Sequence, residues 1–350
     1  MDRGINLLSK LCLAFGPMGC EDDVRNLIRE EITDLCDEVR TDKMGNLIAL
    51  RRGNGQTAKK VMLAAHMDEV GFMVTHIDEE GYIHFGTVGG VDPRVLCGRR
   101  VIFGDETKRV SGIIASKAIH HLTAEEVKEP TPVDRMYVDI GAVDRADAEQ
   151  YLQPGDYGTF DSDFTLFGDH KLKSKAIDDR IGCAVMCELL ASLNENRIET
   201  PYDLYCVFSV GEEGGISGAT TAAYAIAPDR AIVLESTAVS DIAGVPDEAK
   251  VADIGEGGVI SLMDRLTIYD RDFIHFALDT ARKYGIKAQV KRYVSGGNDA
   301  GGIYISRDGV KTLAISAAGR YMHSASLVID LRDYDAIKDL VFHILCEIEL

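Results

Sequence analysis

Apolar side chains at Val24, Leu27, Ile28, Ile32, Leu35 and Val39 recur at three- and four-residue steps, which predicts an amphipathic helix over 21–39. Glu21, Asp22 and Asp23 stand at its start, where the positive end of the helix dipole favours acids. The period then drops to two. The segment 39-VRTDKMGNLIAL-50 reads as a strand, a turn at Gly45-Asn46 and a second strand. Next, 59-KKVMLAAHMDE-69 reads as a short apolar strand that stops on a histidine and an aspartate.

From about 70 to 160 the texture changes. Short β-rich segments (81–90, 99–105, 109–116, 136–142 and 157–161) alternate with Gly and Asp turns, with no long helix between them. From about 162 the α/β alternation returns. Helices are expected at 180–194, 215–226, 271–284 and 333–348, with strands at 203–210, 231–236 and 312–316. The pattern is that of an α/β domain in two pieces, 1–68 and 162–350, with a β-rich domain over 69–161 inserted between them. Neither internal repeats nor low-complexity tracts interrupt it.

Composition narrows the function classes. A chain of 350 residues, 46% of them hydrophobic, suffices for one large domain and a smaller one. With 57 acidic and 38 basic residues the formal charge is −19, which argues against nucleic acid and anionic membranes as partners and leaves acids free to collect cations. The eight cysteines form no CxxC pair. Cys183 and Cys187 lie one helical turn apart on an apolar face, so buried free thiols are expected. Lys10 breaks the apolar run of 1-MDRGINLLSKLCLAFG-16, so a targeting role for it is rejected. No apolar run is long enough to span a bilayer, and the chain reads as cytoplasmic.

Why should the apolar strand in 206-CVFSVGEEGGISGA-219 stop on two adjacent glutamates? Neighbouring carboxylates repel, and one leaving water needs a positive partner. In open α/β sheets ligands bind at the carboxyl ends of the strands. His66 and Asp68, Glu212 and Glu213, and Glu235 all stand there, with His323 in the loop after 312–316 and Asp178-Asp179 before the helix at 180. Two imidazoles and several carboxylates make a mixed N/O metal site suited to Zn, Co or Mn. A cation supplies the charge the glutamates lack. Successive strand residues point opposite ways, so one glutamate can bind metal while the other faces a reacting water. A carboxylate with two oxygens can bridge two ions. The i, i+2 spacing lets Asp68 hold the other nitrogen of His66. Each piece also has an ordinary reading: a lone histidine packed in structure, or acids at a helix start. The coincidence at strand ends carries the argument. Histidines 76, 84, 120, 121, 170, 275 and 343 lack such neighbours and read as surface or packing residues.

The segments 64-AAHMDEVGFMV-74, 174-SKAIDDRIGC-183, 210-VGEEGGISGA-219, 233-VLESTAVSDI-242, 295-SGGNDAGGI-303 and 320-RYMHS-324 resemble the M42 family of metallopeptidases. That family includes glutamyl aminopeptidases and tetrahedral (TET) aminopeptidases, and the likeness covers nearly the whole chain. It implies a mixed-sheet α/β/α metallopeptidase domain, with 69–161 as a small PDZ-like β-barrel dimerisation domain. It implies homo-oligomers in which dimers assemble to a dodecamer, and removal of N-terminal residues from peptide substrates. Two divalent ions (Zn, Co or Mn) are implied per subunit: one on His66 and Glu235, one on Glu213 and His323, with Asp178 bridging. Glu212 would be the general base toward a metal-bridging water, and Asp68 would orient His66. Gly296, Gly297 and Asp299 match a segment lining the substrate site.

There are departures. Glu235 stands where many members have Asp, Ser-Ala-Ser follows His323 where a proline is frequent, and Asn298 stands where Thr is common. A pocket for an N-terminal glutamate would need a basic residue; Lys291, Arg292 and Arg320 are candidates by location. Two rival activities remain. A two-metal aminoacylase or deacetylase would use the same donors on a substrate without a free α-amine. An endoglucanase-type glycoside hydrolase needs carboxyls ~5–9.5 Å apart flanking the bond. Adjacent glutamates suit it poorly, it has no use for the histidines, and the chain has no Trp to stack sugars.

Overall fold

The strands Lys60–His66, Asp203–Ser209, Arg230–Ala238 and Lys311–Gly319 are buried at nearly every position, which requires cover on both faces. In the computed structural model, which describes residues 3–105 and 107–350, these four run parallel in the middle of an eight-stranded mixed sheet. The hairpin Glu38–Thr41 and Leu47–Arg51 extends one side antiparallel to Asp203–Ser209. Gly258–Ile260 and Ala288–Val290 extend the other. Helix Ile177–Glu195 packs on Lys60–His66 and Arg230–Ala238, and Arg3–Leu13, Asp22–Ile32 and Leu331–Glu347 pack on that helix. Ser217–Ile226 and Ala300–Tyr304 pack on each other and on strands of the same sheet. The fold class is thus mixed α/β, as the alternation of periods predicts.

Six further strands, Gly71–Ile77, Ile83–Val88, Arg100–Gly104, Arg109–Ala115, Tyr137–Asp139 and Tyr157–Phe160, close into a barrel. Its core is aromatic. Phe72 meets Phe85 and Phe160 edge-on, with centroids 5.3 and 5.1 Å away, and stacks on Phe103 at 6.2 Å. A separate three-stranded antiparallel sheet pairs Thr165–Phe167 and Lys171–Ser174, which lie between the barrel and the long helix in sequence, with Leu327–Asp330 from near the end of the chain.

Two boundaries differ from the periodicity. The helix predicted over 21–39 ends at Ile32, passes through a 3-10 turn at Thr33–Leu35, and gives Val39 to a strand. Asp37 and Glu38 follow there, and pairing Val39 with Ala49 in the hairpin uses backbone groups that a longer helix would have kept. Secondly, 3–13 is itself a helix, with Leu7, Leu8 and Leu11 buried against the core. All eight cysteines are free, and Cys183 and Cys187 are buried on the long helix. Among the described residues no helix is long and apolar enough to cross a membrane.

Candidate metal centre

The parallel strands bring their carboxyl ends to one edge. Register pairs Ser209 with His66 and Glu235 with Ser316, so His66 and Glu235 come to the same rim from neighbouring strands. After Asp203–Ser209 the chain turns at Gly211, whose φ of +71° is open to glycine at little cost, and delivers Glu212 and Glu213. Asp178 comes from the first residues of the long helix, where Asp178 and Asp179 have non-helical torsions. His323 follows Lys311–Gly319 in a loop with a left-handed φ of +54°, strained for a side chain with a Cβ.

Two groups of donors result, each with its atoms within 4.8 Å of one another: His66, Asp178 and Glu235, and Asp178, Glu213 and His323. Asp178 serves both. One of its oxygens is 3.4 Å from His66 Nε2, the other 3.3 Å from His323 Nε2. Glu235 lies 3.6 Å from His66 Nε2, and Glu213 3.4 Å from His323 Nε2. Glu212 belongs to neither group; its Oε2 is 3.9 Å from His66 Nε2, at the edge of the cluster.

Each imidazole uses its other nitrogen as a donor, which leaves Nε2 bare toward the carboxylates. For His323, Nδ1–H donates to the Gly90 carbonyl at 2.6 Å. For His66, Nδ1–H donates to the backbone carbonyl of Asp68 at 3.0 Å, while the Asp68 carboxylate stands off at 3.6 Å. That carboxylate instead accepts the backbone N–H groups of Glu212 and Glu213, at 3.2 and 3.0 Å. Asp68 therefore ties the imidazole and the glutamate turn together, by its backbone on one side and its side chain on the other. Asp179 stays outside the donor groups and accepts from Gly182 N–H.

The electrostatics are those of an uncompensated cluster. Burial pushes the Glu212 carboxyl up to about 10, against the pull of His66 and with repulsion from Glu235 and Asp299. Burial likewise takes Glu235 to about 8 and Glu213 to about 7. Burial also disfavours the charged form of His323, yet hydrogen bonding to Asp178 and the charge of Glu213 raise it to about 9. Glu235 and Asp178 hold His66 well above its ordinary value despite complete burial. Asp178 alone is driven down, because its bonds to the two imidazoles outweigh burial. Asp179 Oδ2 and Asp299 Oδ1 are buried without a hydrogen-bond partner. Oxygen and nitrogen donors crowded in this way, sharing one carboxylate, fit divalent cations better than they fit each other.

A cavity of about 830 Å³ opens on the cluster, lined by Glu212, Glu213, Glu235 and His323 and by apolar Ile216, Leu266 and Met322. Gly296 and Gly297 line it as well. Asp299 does not; it is buried and accepts the Ser209 hydroxyl. Of the three basic candidates only Lys291 reaches the wall, donating to the Ser295 carbonyl at 2.9 Å. Arg320 is clamped on Asp241 at 2.8 and 2.9 Å, and Arg292 on Asp253 at 2.7 Å. Sequence reasoning did not find Gly90, since a backbone carbonyl leaves no residue signature, nor the apolar wall residues, which look like any other hydrophobe.

Residues 45–340 match the family model described as M42 glutamyl aminopeptidase. A lysyl aminopeptidase of Pyrococcus furiosus is 35% identical over 335 residues, covering 94% of this chain and 93% of its own. The crystal structure of a TET aminopeptidase from Thaumarchaeota archaeon SCGC AB-539-E09 superposes with a TM-score of 0.96 at 33% identity, over 100% of this chain and 97% of that one. The TET1 peptidase of Pyrococcus horikoshii, described as able to assemble into a tetrahedron or a large octahedral shell, superposes with a TM-score of 0.87 at 30% identity, over 99% and 100% of the two chains.

Proposed function

The chain belongs to the M42 glutamyl aminopeptidase family and is a peptidase, and from that premise we propose a two-metal aminopeptidase that removes residues one at a time from a free peptide N-terminus. The observation that carries this reading is the pair of donor groups meeting at Asp178, with Glu212 beside them at the wall of the cavity. His66 and Glu235 would hold one ion, Glu213 and His323 the other, and Asp178 both. When bound, such ions supply the positive charge that polarises a peptide carbonyl and makes water acidic enough to attack it at neutral pH. Beside bound cations the Glu212 carboxyl, otherwise pushed up to about 10 by burial, reverts to its ionised form, in which it takes the proton of the attacking water and returns it to the nitrogen of the departing amine. Asp68 fixes the backbone of Glu212 so that its carboxylate faces the cavity. The acidic rim of Glu212, Glu213 and Glu235 suits a substrate ammonium, which confines cleavage to the first peptide bond.

The family description says glutamyl and the P. furiosus relative is named lysyl, so membership leaves the preferred N-terminal side chain open. The test compares one fluorogenic peptide with free and with acetylated N-terminus, after chelation and after return of Zn, Co or Mn. Metal-dependent release from the free peptide alone is expected. Release of acetate from the acetylated peptide with its fluorophore still attached would make the protein an aminoacylase, and chelator-insensitive cleavage of cello-oligosaccharides a glycosidase.

We extend the same reading to assembly. Segment 69–161 would form a dimerisation domain; Ile113, Ile119, Val127 and Val143 in it are exposed, Val143 at 82%. Light scattering on the purified protein is expected to give a multiple of the 38.2 kDa chain mass. A monomer at micromolar concentration would remove this extension and leave the chemistry untouched.

A further inference from the structure

The two donor groups have different neighbours. His66 and Glu235 are set by the main sheet and almost fully buried. His323 and Glu213 face the barrel. Gly90, which follows barrel strand Ile83–Val88, accepts the Nδ1–H of His323 at 2.6 Å. Its neighbour Gly89 has a φ of +80°, and a Cβ there would stand 2.9 Å from Val70 Cγ1 and 3.2 Å from Glu213 Cβ. Ala325, two residues beyond His323, is buried in the barrel core with Phe72 and Phe160.

A second tie runs beneath. Glu69, next to Asp68, is buried and accepts from Thr159 of barrel strand Tyr157–Phe160 at 2.8 Å. Its other oxygen accepts from Lys175 Nζ at 2.6 Å, and Lys175, three residues before Asp178, also donates to the Ala14 carbonyl at 2.8 Å. Arg180, two residues after Asp178, approaches the same Glu69 oxygen at 3.5 Å and bonds the carbonyls of Leu11 and Gly16. Breaking such a pair would strand a charge in the interior.

We infer that the barrel is a positioning element of the metal centre: its Gly89–Gly90 turn sets His323 and Glu213, and the Glu69–Lys175 pair ties it to the approach to Asp178. This rests on the two-ion reading. The Gly90 carbonyl fixes which nitrogen of His323 is bare, and the missing side chain at 89 lets the turn lie against Glu213. His66 and Glu235 stand on the main sheet, and the barrel reaches that group indirectly, through Glu69 beside the Asp68 carbonyl and through Lys175 on the approach to the shared Asp178.

The experiment titrates metal-depleted full-length protein with cobalt(II), reading absorption and competition with a chelator. His66→Ala and His323→Ala supply reference spectra for loss of either group. Gly89→Ala is expected to retain one ion at native affinity, to weaken the other by about tenfold or more, as loss of a supporting contact does, and to match the His323→Ala spectrum. Thr159→Val, which removes only the barrel's hydrogen bond to Glu69, is expected to weaken both ions by a smaller factor, because Glu69 leads to the Asp68 carbonyl on His66 and to the shared Asp178, and it decides the matter if Gly89→Ala does not fold. Native cobalt binding with only a lowered melting temperature in either variant, or, for Gly89→Ala, equal weakening of both ions or a match to His66→Ala, would each overturn the inference. A native protein that binds no cobalt would sink the two-ion reading itself, which separates the two failures.

Discussion

Glu212→Gln is expected to bind metal as the native protein does and to hydrolyse peptides ~10²–10⁴-fold more slowly, the usual contribution of a positioned general base. The geometry separates the two properties. Glu212 lies outside both donor groups, and its Oε2 stands 3.9 Å from His66 Nε2. Its backbone is held by the Asp68 carboxylate and by bonds from Gly215 and Ile216 N–H to its carbonyl, none of which needs the side-chain charge. Glutamine has the same length and shape, so the turn survives while its amide cannot accept the proton of an attacking water. Metal content by elemental analysis and steady-state kcat on one substrate make the comparison. Glu213→Gln supplies the contrast, because Glu213 sits 3.4 Å from His323 Nε2 and its loss should lower metal content as well as rate. Turnover by Glu212→Gln within a few-fold of native would take the proton-transfer role away from it.

How far the sequence reached depends on which interaction set each residue in place. Strand ends were legible because parallel strands buried on both faces read as continuous apolar runs, and a polar residue closing such a run is conspicuous. His66, Glu212, Glu213 and Glu235 were all singled out in that way, and the structure sets them within a few ångströms of Asp178 or of its partners. Helices with a clear 3.6-residue stripe, such as Arg271–Tyr284, were read to their ends. Strands of three or four residues, such as Thr165–Phe167, Gly258–Ile260 and Ala288–Val290, are too short to show alternation and exist through their partners. The Asp68 side chain went to the glutamate turn because the Asp68 carbonyl already satisfied His66, a choice made by backbone geometry that spacing does not encode. Glu69 and Lys175 likewise look like ordinary surface residues until three segments close over them.

The second large effect concerns the residue that both donor groups share. Asp178→Asn is expected to lose at least one of the two ions and to reduce activity further than Glu212→Gln does. The two Asp178 oxygens face different imidazoles, at 3.4 and 3.3 Å, so each is committed to one group. Asparagine keeps one oxygen and puts an NH2 donor in place of the other, and it removes the negative charge that both groups use. The weakening should exceed the ~10–100-fold cost of losing a supporting residue, because a ligand is lost. Stability distinguishes this from damage to the fold. A ligand present at 100 times its Kd adds about 2.7 kcal/mol to the native state. The native protein should therefore melt higher with metal than without, and Asp178→Asn should lose most of that difference while its metal-free melting temperature falls by less than its metal-loaded one. Relief of repulsion with Glu213 and Glu235 recovers only part of the lost bonds to the imidazoles in the metal-free variant, because those bonds hold the Asp178 carboxyl well below its ordinary value. Equal destabilisation with and without metal would instead make Asp178 a helix-end residue of structural use only, and the shared-ligand role would go with it.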